Sequence, residues 1–177
     1  MLSHALRLHP DSRPGSVAGI EVEITRQPTG ALKLTYVLLF NGVTPIWCLT
    51  PLNSRADGLW QHTCFEAFIR SAESPSYREF NFAPSGQWQA YAFTDTRVGG
   101  LLEPATDPQI ECRVEPGRLT LTATISAADL PPGNALHFGL SAVVESAAGD
   151  IAYWALRHAA GKPDFHHPDT FVLELNP

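Results

Sequence analysis

An all-β domain is predicted, an immunoglobulin-like or jelly-roll-type antiparallel β-sandwich of roughly ten strands. Three observations point there. Apolar residues recur with period two along most of the chain. Fifteen prolines and thirteen glycines are spread over the 177 residues, where they punctuate many short elements. Helical patterns are nearly absent. One domain spanning residues 1–177 is expected, because the length suits a single sizeable core and no linker composition interrupts it.

In chain order, residues 20–24 alternate Ile, Glu, Val, Glu, Ile. Residues 32–36 alternate and then run into the apolar stretch 37–40, the pattern of a strand covered on both sides. Asn41-Gly42 is a turn signal. Further strands are expected at 46–48, 64–70, 77–82, 87–93, 110–114, 119–125, 137–144, 151–156 and 170–175. Ser126 caps at most one helical turn, which Pro131-Pro132 stops. Residues 1–7 are ambiguous.

The net charge is -6, with twelve basic residues that form no stripe. This argues against a nucleic-acid partner. No run of about 18 apolar residues occurs, so no membrane-spanning helix is expected. Cys48, Cys64 and Cys112 complete no zinc or redox motif. Residues 1–14 lack the apolar core of a secretory leader. Together these predict a cytoplasmic protein with reduced thiols.

Residues 59–93 carry the chemistry. Two turns divide them into three strands, and the second turn, Ala83-Pro84-Ser85-Gly86, is short enough for a hairpin. Side chains alternate between sheet faces. With Phe65, Phe80 and Trp88 turned to the core, the other face collects Glu66, Glu79, Asn81, Gln89 and Tyr91. Carboxylates, amides and a phenol on one surface can hydrogen-bond a polyhydroxylated ligand from several directions. Trp60, just before the first strand, offers an apolar platform. The same residues also fit an ordinary solvated sheet face. Glu66 and Glu79 could form an acid/base pair for glycoside hydrolysis, a reaction whose test is geometric. Residues 154–171 form a second polar concentration, with His158, Lys162, Asp164, His166 and His167. His158, Asp164, His166 and His167 could supply metal ligands, or a buried histidine could hold the loop to backbone carbonyls, and no compact ligand spacing is completed. Neighbouring His166 and His167 point opposite ways on an extended chain. Serine-nucleophile and phosphate-loop signatures are absent.

The segments Leu59-Trp-Gln-His-Thr-Cys-Phe-Glu-Ala-Phe68, Tyr77-Arg-Glu-Phe-Asn-Phe-Ala-Pro-Ser-Gly86, Tyr153-Trp-Ala-Leu and Lys162-Pro-Asp-Phe-His-His-Pro168 resemble the DOMON-like proteins, which are related to family-nine carbohydrate-binding modules. The resemblance runs from about Ile20 to Leu175. It implies an immunoglobulin-like sandwich with a pocket for sugar or haem. In the sugar-binding relatives two tryptophans clamp a sugar beside a glutamate. Trp60 and Glu66 match the first tryptophan and the glutamate, and Trp154 best matches the second tryptophan. Glu79 and Asn81 would line the same surface. Haem-binding relatives use a Met and a His as axial ligands. Met1 is the only methionine here, so haem would need His62, His158, His166 or His167. The expected function is a non-catalytic module for a small-molecule or oligosaccharide ligand through Trp60, Glu66, Glu79, Asn81, Tyr91, Trp154, Lys162, Asp164 and His166. A haem module, a hydrolase and a protein-interaction module remain as alternatives.

Overall fold

The structure is a computed structural model and describes residues 3–42, 52–133 and 135–175. The strand expected at 46–48, with Cys48, lies outside the described residues. Twelve strands are present among those described: β1 (Ser3–Leu8), β2 (Val17–Arg26), β3 (Leu32–Phe40), β4 (Cys64–Ser71), β5 (Tyr77–Phe82), β6 (Trp88–Asp95), β7 (Val98–Leu101), β8 (Gln109–Glu115), β9 (Arg118–Ile125), β10 (Leu136–Glu145), β11 (Ile151–Ala155) and β12 (Leu173–Leu175). All their pairings are antiparallel. The order is β7-β6-β5-β4-β10-β11-β1-β2-β3-β9-β8, with β12 beside β10.

β1 joins the two layers. It pairs with β2 through residues 3–6 and with β11 through residues 7 and 8. The path then folds over on itself, so that β2, β3 and β9 face β4, β5, β6, β10 and β11 across one apolar core. Alternation decides which side chains enter it. Leu34 and Tyr36 come from β3, Leu121 and Ala123 from β9, Phe65 and Ile69 from β4, and Phe80 and Phe82 from β5. The phenol of Tyr36 is buried with them and donates to the backbone carbonyl of Glu66 at 2.7 Å, which satisfies a polar group that burial would otherwise strand.

The turns behave as their residues require. Gly86 closes the β5–β6 hairpin at φ 82°, its N–H donating to the Ala83 carbonyl at 2.9 Å. The expected helical turn is a three-residue 3-10 turn, Ala127–Asp129, with Ser126 as its cap. The ambiguous N-terminal stretch is strand β1, and β7 is a strand the alternation did not reveal. Cys64 is a buried free thiol. Cys112 is disulfide-bonded, so the expectation of reduced thiols fails there.

β4 positions the site. It lies between β5 and β10, and side chains on both of its faces are buried. One face enters the core. The other is covered by the segment between β11 and β12. Phe171 of that segment forms a second apolar cluster with Phe68 and Tyr77, joined by Phe93 and Phe165.

Candidate functional site: a carboxyl-floored pocket on the outer sheet face

The register of β4, β5, β6 and β10 sets two rows on the outer face. Ser141, Glu66, Asn81 and Gln89 lie opposite one another in the first. Gly139, Phe68, Glu79, Tyr91 and Leu101 form the second. Glu66 and Glu79 are therefore diagonal neighbours on adjacent strands, close enough for their charges to interact. This face is not the solvated surface that the alternative reading proposed. Glu66 is 2% exposed, Glu79 5% and Asn81 0%.

A cavity of about 540 Å³ opens over these rows. Glu66 and Glu79 contribute to its floor, Phe68, Tyr91 and Phe93 to the sheet side, and Trp60 and Phe165 to the walls. Trp60 sits on the 3-10 turn Leu59–Gln61 and is 52% exposed. An indole so open to water costs nothing to the core and leaves an apolar face for a ligand.

The polar groups are organised from behind. The Ser141 hydroxyl donates to Glu66 Oε2 at 2.9 Å, and Asn81 Nδ2 donates to Glu79 Oε1 at 2.8 Å. Glu66 Oε1 and Glu79 Oε2 accept no hydrogen bond among the described residues, and Asn81 Oδ1 is buried without a partner. Burial, reinforced by the neighbouring charge of Glu79, pushes the Glu66 carboxyl up to about 8. Burial also pushes Glu79 up to about 7, against the opposing effects of Asn81 and Arg97. Near neutral pH the pair therefore holds both proton-bearing and ionised oxygens, able to donate as well as accept.

His166 closes one side. Its Nδ1 lies 2.8 Å from the Tyr77 hydroxyl, and that hydroxyl oxygen accepts from the Arg97 N–H at 3.0 Å. The phenol proton is thus assigned toward Nδ1, which leaves Nε2–H facing Glu79 Oε2 at 3.7 Å. Burial and the Arg97 charge lower the imidazole to about 4, so it is neutral at physiological pH. Tyr91 donates to Asp57 Oδ1 at 2.5 Å, tying the Trp60 turn to β6. Arg97 at the mouth pairs with Asp164 at 2.8 Å.

Of the residues expected here, Trp60, Glu66, Glu79, Tyr91 and His166 line the cavity. Asn81 stands behind it and holds Glu79. Asp164 does not line it and instead anchors Arg97 and accepts from the His166 N–H at 3.1 Å. Lys162 is exposed and outside it. Gln89, on the same face, is taken up by the Arg55 guanidinium at 2.9 Å.

Trp154 is a correction. It pairs with Ala142 across β10, and both are in the core cluster. On a strand the next residue faces the opposite way, so Tyr153, not Trp154, reaches the cavity. The expected clamp of two tryptophans does not form. Trp60 instead shares the cavity with Tyr153 and Phe165.

The histidines named for metal or haem do not converge. His158 Nε2 is bonded to the Arg7 carbonyl at 2.8 Å, the loop-holding role foreseen as one alternative. His62 pairs with Glu145 on the surface, and His167 caps the 3-10 turn Pro168–Thr170. Only His166 of the four lines the cavity, so two histidines do not stand across it as a bis-histidine haem would require. Sequence reasoning missed Asp57, Tyr153, Arg97 and the glycines of β7. For Tyr153 the signal was present, since the alternation of β11 places it outward.

The fold has a solved counterpart. A protein provisionally described as carbohydrate-binding, from Bacteroides uniformis, matches with a TM-score of 0.70 over 97% of this chain and 84% of that one, at 13% identity. A family 9 carbohydrate-binding module from Caldicellulosiruptor kristjanssonii, solved with glucose, aligns with a TM-score of 0.48 at 12% identity, covering 88% of this chain and 76% of that one. No family model and no curated protein matches the sequence. The first likeness establishes a shared fold across nearly the whole chain.

Proposed function

We propose that the protein is a non-catalytic carbohydrate-binding module whose site is the outer-face cavity between Trp60 and His166. The observation that carries this reading is the pairing of buried carboxyls, with oxygens free to bond, and aromatic walls in one ring-sized space. Sugars present hydroxyls at their edges and C–H groups on their faces, and this cavity offers partners for both. The fold shared with the protein from Bacteroides uniformis supports it, as does the resemblance to DOMON-like and family-nine modules.

Binding rather than hydrolysis is favoured by the carboxyls' surroundings. Glu66 is fastened by Ser141 and Glu79 by Asn81, each on a rigid central strand. Such groups suit positioning a ligand.

Isothermal titration against a panel of mono- and oligosaccharides tests the reading. At least one sugar should bind, and Trp60→Ala should weaken it by about tenfold, the scale of one aromatic contact. Absence of binding to every sugar, or affinity untouched by Trp60→Ala, would overturn it.

A further inference from the structure

The described part of the molecule offers a more specific statement about the ligand, resting on the carbohydrate reading above. The cavity's charges are unbalanced. Asp57, Glu66 and Glu79 line it, with Arg97 as the cation among its lining residues. Asp164 already neutralises that guanidinium at 2.8 Å, and its side chain is 59% exposed at the mouth. His166 contributes a neutral ring. Burial raises the phenols of Tyr77 and Tyr91, and beneath the floor it raises the Cys64 thiol and the Tyr36 phenol, so these four add no charge near neutral pH.

At the floor, acceptor oxygens outnumber the side-chain donors that meet them. Glu66 and Glu79 line the cavity, their Oε1 and Oε2 respectively accept no hydrogen bond from the described residues, and Asn81 Oδ1, in the row of Glu66, is buried with no partner. Around them stand six aromatic rings from five parts of the chain: Trp60, Phe68, Tyr91 and Phe93 of β6, Tyr153 and Phe165. Electron-rich ring faces attract a cation, and most strongly where water is excluded. An acidic floor inside an aromatic wall is a cation's environment.

Two kinds of cation fit that description, and hydrogen bonding separates them. A quaternary ammonium donates no hydrogen bond and would leave both carboxyl oxygens unmet. A primary ammonium donates up to three. A cavity of about 540 Å³ is also within the range that encloses a whole small ligand, not one methylated head group.

We propose that the ligand is an amino sugar whose protonated primary amine sits between Glu66 and Glu79. The ammonium donates to Glu66 Oε1 and Glu79 Oε2, while the ring packs on Trp60 and its hydroxyls reach His166 Nε2–H. The incoming charge displaces a proton held by the carboxyl pair, so binding expels a proton to solvent.

Titration calorimetry of the intact protein with glucosamine, glucose, N-acetylglucosamine and cyclohexylamine, in buffers of different ionisation enthalpy, reads both affinity and proton release. At pH 6.5 glucosamine should bind at least about tenfold more tightly than glucose or N-acetylglucosamine, as expected of one desolvated charge-assisted hydrogen bond. It should release a proton, and glucose should not. The doubly substituted Glu66→Gln, Glu79→Gln protein, shown folded by its melting curve, should lose the preference. Glucose bound as tightly as glucosamine, or no proton released, overturns the amino-sugar assignment and leaves the carbohydrate reading standing. Binding of cyclohexylamine but of no sugar keeps the ammonium subsite and overturns the carbohydrate reading. Binding of none of the four overturns both.

Discussion

At the scale of the residue, Glu66 shows the cost of the site. A carboxyl 2% exposed is penalised when ionised, because the interior solvates charge poorly. The ordinary carboxyl value of 4.5 rises to about 8 in the folded chain. The folded protein therefore binds more protons than the unfolded chain between those values. Stability must fall as pH rises through that window. Replacing Glu66 with Gln keeps an acceptor for Ser141 and removes the charge. Thermal melts should show Glu66→Gln more stable than the parent at pH 8.5, with the gain shrinking toward pH 4.5. A difference independent of pH would contradict the burial argument.

Trp60 on its turn and Trp154 in the core give a second residue-scale contrast. Trp154 is in the core, and its truncation should cost about 3–5 kcal/mol in urea unfolding. Trp60 is half exposed, and Trp60→Ala should change stability by no more than about 0.5 kcal/mol. Equal losses would mean that Trp60 is structural. A matched motif, Tyr153-Trp154, named the right strand and the wrong one of its two residues, because likeness between sequences carries no sense of which face a side chain takes.

At the scale of the element, the decisive piece is the segment from β11 to β12. It has little regular structure, yet it is held at several points. Buried His9 bonds the Gly161 carbonyl through Nε2 at 3.1 Å. Phe165 and Phe171 pack on Phe68 with ring centroids 6.4 and 6.5 Å apart. Thr170 lies against Gly139 of β10, where a Cβ would come within 3.2 Å of its backbone oxygen. A branched side chain there has no room. Gly139→Val should lift the segment, opening it to limited proteolysis near residue 161 and weakening ligand binding, with the core strands intact by circular dichroism. Unchanged protease resistance would contradict this account of how the wall is held. Here the sequence was legible only in part. It marked the segment as polar and rich in histidine, but the partners that give His158 and His166 their tasks come from β1 and β5, far away in the chain.

At the scale of the whole molecule, the sandwich separates two jobs between the faces of one sheet. The inner face of β4 to β6 packs the core with Phe65, Phe80 and Trp88, and the outer face of the same strands carries Glu66, Glu79 and Tyr91. Strict alternation made that division readable from the sequence, so the fold class and the floor of the cavity were both foreseen. The walls were not. Trp60 belongs to a turn, Arg97 to the β6–β7 connection and Phe165 to the long segment, and no periodicity joins them. Only folding of the sheet brings these three around one space.

Everything proposed for the ligand places it in this one space. Backbone amide spectra of isotopically labelled protein, recorded through a titration with glucosamine and separately with glucose, test it most directly. Saturating sugar should shift the amides of Glu66, Glu79, Tyr91, Tyr153 and His166 and leave those of β2, β3 and β9 unmoved. Shifts confined to another surface, or none with either sugar, would contradict it.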